Sequence, residues 1–211
     1  MRTSSVLCLA GLLLALFALP AQADRYDRYR GDEPPPRRGA PVPPPPHAVY
    51  GQTYFFGHIG LFEPNDEDPT PTGGGLAGYD TGGSFDVGIG SRVSPNLAIE
   101  GSFGGYGADR GGDEIAVVPL TFGARLILPA PVIEPYVGAG LGIYFADLEE
   151  PGIDDSDTTI GGYGALGVDA WLNPRTALNF EGKYHWVEPE FSGIDVEAGG
   201  WTLGLGVRVS F

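Results

Sequence analysis

The stretch Trp201-Thr202-Leu203-Gly204-Leu205-Gly206-Val207-Arg208-Val209-Ser210-Phe211 decides the fold. Every second residue from Trp201 to Phe211 is apolar, whereas the residues between them are small or polar. A two-residue period is the signature of a β-strand with two chemically different faces, and no helix has this period. The sequence therefore predicts a terminal strand with one apolar face.

The same alternation recurs in seven earlier segments, which predicts an all-β protein of eight strands. The segments are Thr53–Phe62, Phe85–Gly90, Leu97–Phe103, Leu120–Leu126, Tyr136–Tyr144, Leu166–Trp171 and Leu178–Trp186. Tight turns alternate with longer connections along the chain. The turns are Ser94–Asn96, Pro129–Pro131 and Asn173–Arg175, and the longer connections are Glu63–Gly83, Gly107–Glu114, Asp147–Asp157 and Glu188–Gly200. This order predicts an antiparallel up-and-down barrel.

The chemistry of the two faces distinguishes a transmembrane barrel from a soluble, lipocalin-like one. A soluble barrel presents long polar side chains to water, yet Lys183 is the only lysine. The non-apolar face consists mostly of glycine and other small residues, as in a crowded interior. The apolar face carries aromatic residues near strand ends, where membrane-interface girdles form. These are Phe103, Tyr184, Trp186, Trp201 and Phe211. The pattern favours an eight-stranded antiparallel transmembrane β-barrel.

Residues 50–211 resemble the small outer-membrane β-barrels of Gram-negative bacteria, the OmpA-like/OmpX-like group. The resemblance rests on the eight segments, on Pro135–Gly142 and on the terminal strand. It implies residence in the outer membrane among lipid and lipopolysaccharide. It also implies insertion by the outer-membrane assembly machinery, for which Phe211 is the matching terminal aromatic signal. A monomer is expected.

Two segments precede the predicted barrel. Residues 1–23 read as a signal peptide, with an apolar run followed by Ala21-Gln22-Ala23. Residues 24–49 are rich in proline and arginine and predict an extended periplasmic linker that could contact anionic cell-wall polymer. The only cysteine, Cys8, lies in the signal peptide, so no disulfide is expected. The formal net charge of −15 argues against nucleic acid as a partner.

The alternation also predicts which charged side chains point inward. The predicted lumen network consists of Asp86, Glu100, Arg125, Asp169, Glu181, Lys183 and Arg208, with Arg92 as a less secure member and His185 nearby. Unpaired charges would be costly in a narrow lumen, so these residues should pair. The pairing either fills and holds the barrel or lines a narrow ion path; the small lumen favours the first.

The four longer connections contain 18 acidic residues and one arginine. If they face outward, they would repel phosphate-rich lipopolysaccharide unless divalent cations intervene. Asp154, Asp155 and Asp157 form the best centre for loosely bound Ca²⁺ or Mg²⁺, although their spacing matches no complete calcium loop. A simple solvated acidic surface is the stronger expectation, and no other cofactor is expected.

The functional prediction is a structural or surface-interaction protein that acts through acidic loops. A small ion or solute channel is the alternative. A lipid A-modifying enzyme is a weaker third, because a nucleophile, a base and an orienting acid do not come together in the sequence. The histidines are His47 in the linker, His58 in the first strand and the inward His185, and Ser192 lies on the fourth connection. No catalytic residues are therefore predicted.

Overall fold

A computed structural model describes residues 51–65, 73–150, 153–191 and 193–211. The predicted signal peptide and linker, together with Tyr50, His47 and Ser192, lie outside these residues. Eight strands form a closed barrel and three short ones form a separate sheet. The barrel strands are β1 (Thr53–Pro64), β3 (Gly82–Ser94), β4 (Leu97–Arg110), β5 (Asp113–Ile127), β6 (Ile133–Glu150), β7 (Ile153–Asn173), β8 (Thr176–Trp186) and β11 (Gly200–Ser210).

The barrel closes by pairing each strand with its neighbour in the chain and β1 with both β3 and β11. All eight ladders are antiparallel, with registers such as Tyr54↔Ser210 and Leu61↔Leu203 at the closing seam. The backbone N–H of Phe211 donates to the Thr53 carbonyl at 3.0 Å, which extends this seam to the last residue. The predicted all-β, up-and-down antiparallel barrel of eight strands is confirmed.

The outer surface of the barrel carries a belt of exposed apolar side chains. Ile59, Phe122 and Leu141 are 75%, 66% and 68% exposed, although each lies in the middle of a strand. Such a band, wrapped around a barrel with a polar interior, is the lipid-facing surface of a transmembrane barrel. The described residues include no helix long and apolar enough to cross a membrane.

Two of the four predicted long loops are β-hairpins, so this part of the sequence prediction was wrong. β4 and β5 pair up to Arg110↔Asp113, leaving only Gly111 and Gly112 between them. Both glycines have positive φ, +60° and +120°, which a tight turn requires and side chains disfavour. β6 and β7 likewise pair up to Glu150↔Ile153. Residues 107–114 and 147–157 therefore belong mainly to strands.

The other two connections fold over the same end of the barrel, which we call the outer end. They contribute β2 (Gly73–Gly75), β9 (Glu190–Phe191) and β10 (Ile194–Glu197), which form a small sheet in the order β2-β10-β9. Beneath this sheet lies a buried apolar cluster, the outer core, to which both connections and the inward faces of the barrel strands contribute. The outer core comprises Phe62, Leu76, Tyr79, Tyr106, Ala108, Ile115, Val117, Tyr144, Ala146, Val187, Phe191 and Ala198.

Polar contacts hold the two connections and the hairpins together as one outer cap. The Arg110 guanidinium lies 4.7 Å from the centre of the Tyr79 ring and donates to the Ala77 carbonyl at 3.1 Å. Asn65 donates to the Glu197 carboxylate at 2.8 Å. Among the described residues, these contacts join the two connections and the hairpins.

Candidate functional site: the charge network in the lumen

Arg125 on β5 is the centre of the charged interior. Its Nε, Nη1 and Nη2 atoms lie 3.2, 3.5 and 3.1 Å from carboxylate oxygens on three different strands. The partners are Glu100 on β4, Asp169 on β7 and Glu181 on β8. The five N–H donors of a guanidinium can serve several carboxylates at once, which suits this position.

Two further cations pair with the carboxylates around Arg125. Arg208 on β11 lies 3.1 Å from Glu100 through Nη1 and 3.0 Å from Asp169 through Nε. The Lys183 ammonium lies 3.1 Å from both Asp86 and Glu181. The structure therefore brings all seven residues of the predicted lumen network together. Arg92 lies elsewhere.

His58 on β1 occupies the place of a fourth cation in this network. Its Nδ1 lies 2.6 Å from Asp86 Oδ1, and its Nε2 faces the side-chain oxygen of Asn179. The orientation of the Asn179 amide is fixed because its nitrogen donates to the Asp169 carboxylate. With an acceptor at each ring nitrogen, His58 can donate twice only as an imidazolium. Four carboxylates then face four cations.

Tyr136 supports the network from β6. Its ring lies 3.6 Å below the Arg125 guanidinium, and its hydroxyl donates to Glu181 at 2.9 Å. Gly167 on β7 makes room for it, because a Cβ there would lie 2.3 Å from the tyrosine hydroxyl. A glycine at this inward position is therefore part of the site, since any side chain would collide with the buried tyrosine.

Arg92 pairs with Glu134 in a separate cluster near the tight turns, at the end of the barrel opposite the outer end. Its guanidinium donates to the Glu134 carboxylate and, at 3.0 Å, to the Pro95 carbonyl. Trp171 Nε1 donates to the same carboxylate at 2.8 Å. Glu134 is absent from the predicted network, because the predicted strand begins at Tyr136, whereas β6 begins at Ile133.

Three groups of the network, His58, Asp86 and Glu181, are close enough to hold a metal ion, since their ligand atoms lie within 4.8 Å of one another. Lys183 already supplies a positive charge there, 3.1 Å from both carboxylates. The imidazole of His58 is also engaged on both nitrogens. The arrangement therefore favours an ion-pair network over a metal centre.

The interior spaces next to the network are small. One cavity of about 30 Å³ lies among His58, Lys183 and His185, and another of about 10 Å³ lies beside Arg125 and Tyr136. The first is about the volume of one water molecule. His185 faces the outer core, 3.2 Å from the Tyr144 hydroxyl and 4.8 Å from the centre of the Tyr106 ring. Among the described residues, the His185 ring forms no hydrogen bond with a serine or a carboxylate.

The residues predicted to hold a divalent cation lie on β7 at the outer end. Asp157 accepts a hydrogen bond from the Glu190 backbone N–H at 2.8 Å, and Asp155 accepts one from Ser156 at 3.0 Å. Asp154 is in register with Glu149. At the other end of the barrel, Phe211 is 66% exposed and stacks on Phe55 with ring centres 5.0 Å apart.

Solved structures of small outer-membrane barrels share this fold. Neisserial surface protein A matches with a TM-score of 0.58 and 19% identity, over 76% of this chain and 96% of that one. OprG from Pseudomonas aeruginosa matches with a TM-score of 0.58 and 16% identity, over 77% and 96%. No curated protein matches the chain. The model of the outer membrane protein β-barrel domain matches residues 9–208. The chain therefore belongs to the outer membrane protein β-barrel family and resides in the outer membrane.

Proposed function

We propose that the chain is a structural outer-membrane barrel that acts at the cell surface through its outer cap and does not conduct. The observation that carries this proposal is that side chains fill the barrel interior at two successive levels along its axis. The charge network around Arg125 occupies the middle of the lumen, and the outer core lies beyond it. An ion crossing the barrel would have to break both, at the cost of exposing buried charges and apolar side chains.

The outer cap offers the surface for an interaction. Asp109, Glu114, Asp147 and Glu149 are exposed on the hairpins that form its rim. In this proposal the rim contacts lipopolysaccharide through divalent cations, which would offset repulsion between carboxylates and lipid phosphates. The prediction of loosely bound Ca²⁺ or Mg²⁺ at Asp154, Asp155 and Asp157 belongs to this hypothesis.

The remaining proposals concern Phe211, the linker that precedes the barrel and the oligomeric state. Phe211 directly follows β11 at the closing seam, and its ring is exposed. In this proposal the assembly machinery binds that terminal aromatic residue before the barrel closes. The basic linker would contact anionic cell-wall polymer. The mature protein would work as a monomer without an enzymatic activity.

Single-channel conductance of the refolded mature chain in planar bilayers tests the proposal. We expect no discrete openings from barrels whose folding has been checked by their heat-modifiable electrophoretic mobility. Millimolar calcium should not create openings. The Glu181→Gln variant should stay silent as well, because Arg125 retains Glu100 and Asp169. Openings whose conductance changes in Glu181→Gln would contradict the proposal and establish the channel alternative.

The surface role is tested separately with vesicles. The refolded chain should show a higher thermal midpoint with millimolar Ca²⁺ in vesicles that contain lipopolysaccharide, and less gain in phosphatidylcholine alone. The Asp147→Asn/Glu149→Gln variant should lose most of this gain, whereas Glu188→Gln, an exposed acid of the fourth connection, should keep it. An equal calcium effect in both vesicle types would contradict contact with lipopolysaccharide.

A further inference from the structure

The β4–β5 ladder has a break near the outer end of the membrane belt. Pairing runs from Leu97↔Leu126 to Phe103↔Leu120, and it resumes in the same register at Tyr106↔Val117. The skipped positions place Pro119 and Val118 opposite Gly104 and Gly105. Proline has no backbone N–H to donate, so it weakens the ladder at the place where it sits. The barrel wall is locally weak here.

An open groove of about 640 Å³ lies on the outer surface at this break. Its walls are low because outward positions carry small residues, among them Gly83, Gly105 and Ala116. Phe85 lies at the membrane-facing end, where neighbouring outward residues are apolar, and Asp109 and Glu114 lie at the other end. The groove therefore runs from an apolar to an acidic environment.

The Phe85 ring lies on the outward side of the barrel wall, 51% exposed, and forms part of this groove. A Cβ at Gly105 would lie 2.8 Å from the ring, so the ring covers the glycine directly. The internal cavity beside Lys183 reaches Phe85, Gly105 and Pro119 from the other side. The ring packs on Gly105 and about half of its surface is open on the outer side, so an apolar chain in the groove can lie against it.

The acidic end of the groove has unbalanced charge. Asp109 and Glu114 are cross-strand partners, and both are exposed. Like charges directly opposite on a sheet repel each other. The neighbouring Arg110 contacts Asp113 and Tyr79 instead. Among the described residues, neither Asp109 nor Glu114 forms an ion pair. A cation between the two carboxylates would relieve this repulsion, whereas an anion would be rejected.

We propose that this groove binds a single-chain amphiphile with a cationic head group. The apolar chain lies over Gly83, Gly105 and Phe85, and the head group lies between Asp109 and Glu114. The apolar part of the groove favours the chain, and the acidic end favours a cationic head group. An anionic lipid is disfavoured because the carboxylates repel its head group. The acidic end of the groove shares Asp109 and Glu114 with the rim of the outer cap, but binding of the amphiphile needs no lipopolysaccharide.

Photolabelling with a dodecylammonium probe that carries a diazirine at the end of its chain tests the site. The full mature chain is refolded in phosphatidylcholine vesicles, and labelled peptides are located by mass spectrometry. We expect label concentrated in β3–β5, displaced by unlabelled dodecylammonium and not by dodecyl sulfate. Label spread evenly around the barrel, or equal displacement by both competitors, would overturn the proposal.

Two variants with matched controls separate the chain from the head group. Gly83→Leu fills the groove without a collision, because a Cβ there meets nothing within 4 Å. It should reduce labelling of β3–β5, whereas Gly162→Leu, at a membrane-facing glycine on β7 with ordinary contacts, should not. Asp109→Asn/Glu114→Gln should weaken labelling by the cationic probe by about fivefold and leave labelling by a neutral dodecanol probe unchanged. Equal effects on both probes, or equal effects of both leucine variants, would contradict the proposed site. None of these outcomes depends on conductance.

Discussion

The middle of the lumen and the outer core occupy the same tube, yet opposite chemistries fill them. On β5 the inward residue of the middle is Arg125, which faces three carboxylates, whereas the inward residues of the outer end are Ile115 and Val117. The outward residues change in the reverse sense, from Phe122 and Leu120 to Glu114. The alternation keeps its phase along the strand while its polarity inverts.

The solvent around each level explains this inversion. Where lipid surrounds the barrel, apolar residues face outward and the interior is the place left for charges. Where the strands leave the membrane, water surrounds them, so the interior becomes an ordinary hydrophobic core. Each strand therefore follows membrane-protein rules along one part of its length and soluble-protein rules along the other, and the two parts should respond differently to mutation.

The largest effect is expected from Arg125→Met. It removes the cation shared by Glu100, Asp169 and Glu181, so these carboxylates keep only Arg208 and Lys183 as partners and the buried network carries excess negative charge. Breaking a buried ion pair by removing one partner typically costs about 3–5 kcal/mol. Urea unfolding of the refolded barrel in micelles, followed by tryptophan fluorescence, measures the loss. Arg175→Met, at an exposed arginine of the tight turn between β7 and β8, is the matched control and should change the free energy of unfolding by less than about 0.5 kcal/mol.

A double variant sharpens this result. Glu181→Gln added to Arg125→Met removes one of the stranded charges, so the double variant should be more stable than the sum of the two single effects predicts. Strict additivity would contradict the assignment of these two residues to one network.

Ile115→Ala should have the next largest effect, at the other level of the tube. It leaves a cavity in the outer core and should cost about 2–4 kcal/mol locally. Because the outer core holds the cap, we expect faster protease cleavage of residues 63–83 and 188–200 while the heat-modifiable barrel persists. Ile194→Ala, at an exposed isoleucine of β10, is the control. Loss of the barrel together with the cap would show that the two levels do not respond separately.

Arg110→Ala should have a smaller effect, confined to the cap. It removes an exposed cation–π contact with Tyr79, a hydrogen bond to Ala77 and an exposed ion pair with Asp113. Contacts of this kind are each worth about 1 kcal/mol or less. Hydrogen exchange at the amides of Tyr79 and Asp80 should accelerate, while the amides of β8 keep their protection. Unchanged exchange would mean that Arg110 does not hold the first connection.

The smallest effect is expected from Glu149→Gln. Glu149 lies in register between Glu114 and Asp154, and Glu114 in turn lies opposite Asp109, so four acidic residues occupy adjacent positions on β4–β7. Removing one of them should stabilise the hairpins by about 0.2–0.5 kcal/mol at low salt, because like charges opposite each other repel. The gain should shrink as salt screens the charges. Thermal unfolding at low and high salt measures it, with Glu188→Gln as the control.

The sequence predicted the fold and most of the network for the same physical reason. Along β5 and β8 one face is apolar and the other carries isolated charges, so Arg125, Glu181 and Lys183 could be assigned inward from the alternation. His58 could not, because both faces of β1 are apolar around it, with Phe56 inside and Phe55 outside. The two-residue period therefore does not show whether His58 faces the lumen or the lipid.

The outer core was not predicted from the sequence, for a different reason. Above the membrane the inward residues are apolar and the outward ones are acidic, as in Glu114 and Ile115. Clusters of acids next to glycines suggest loops when the membrane pattern alone is followed. If alternation with the apolar residues on the inward face had also been accepted as a strand pattern, the predicted strands β4–β7 would have reached the hairpin tips.

The seam between β1 and β11 has a kinetic consequence. It joins partners roughly 150 residues apart in the chain, such as Tyr54 and Ser210, and closing so long a segment is entropically costly and slow. The other ladders join neighbours in the chain and can form earlier. An almost complete sheet with two free edges is then the natural folding intermediate. Its exposed edges can pair with those of another chain, so the time before closure is when this protein is most prone to aggregate.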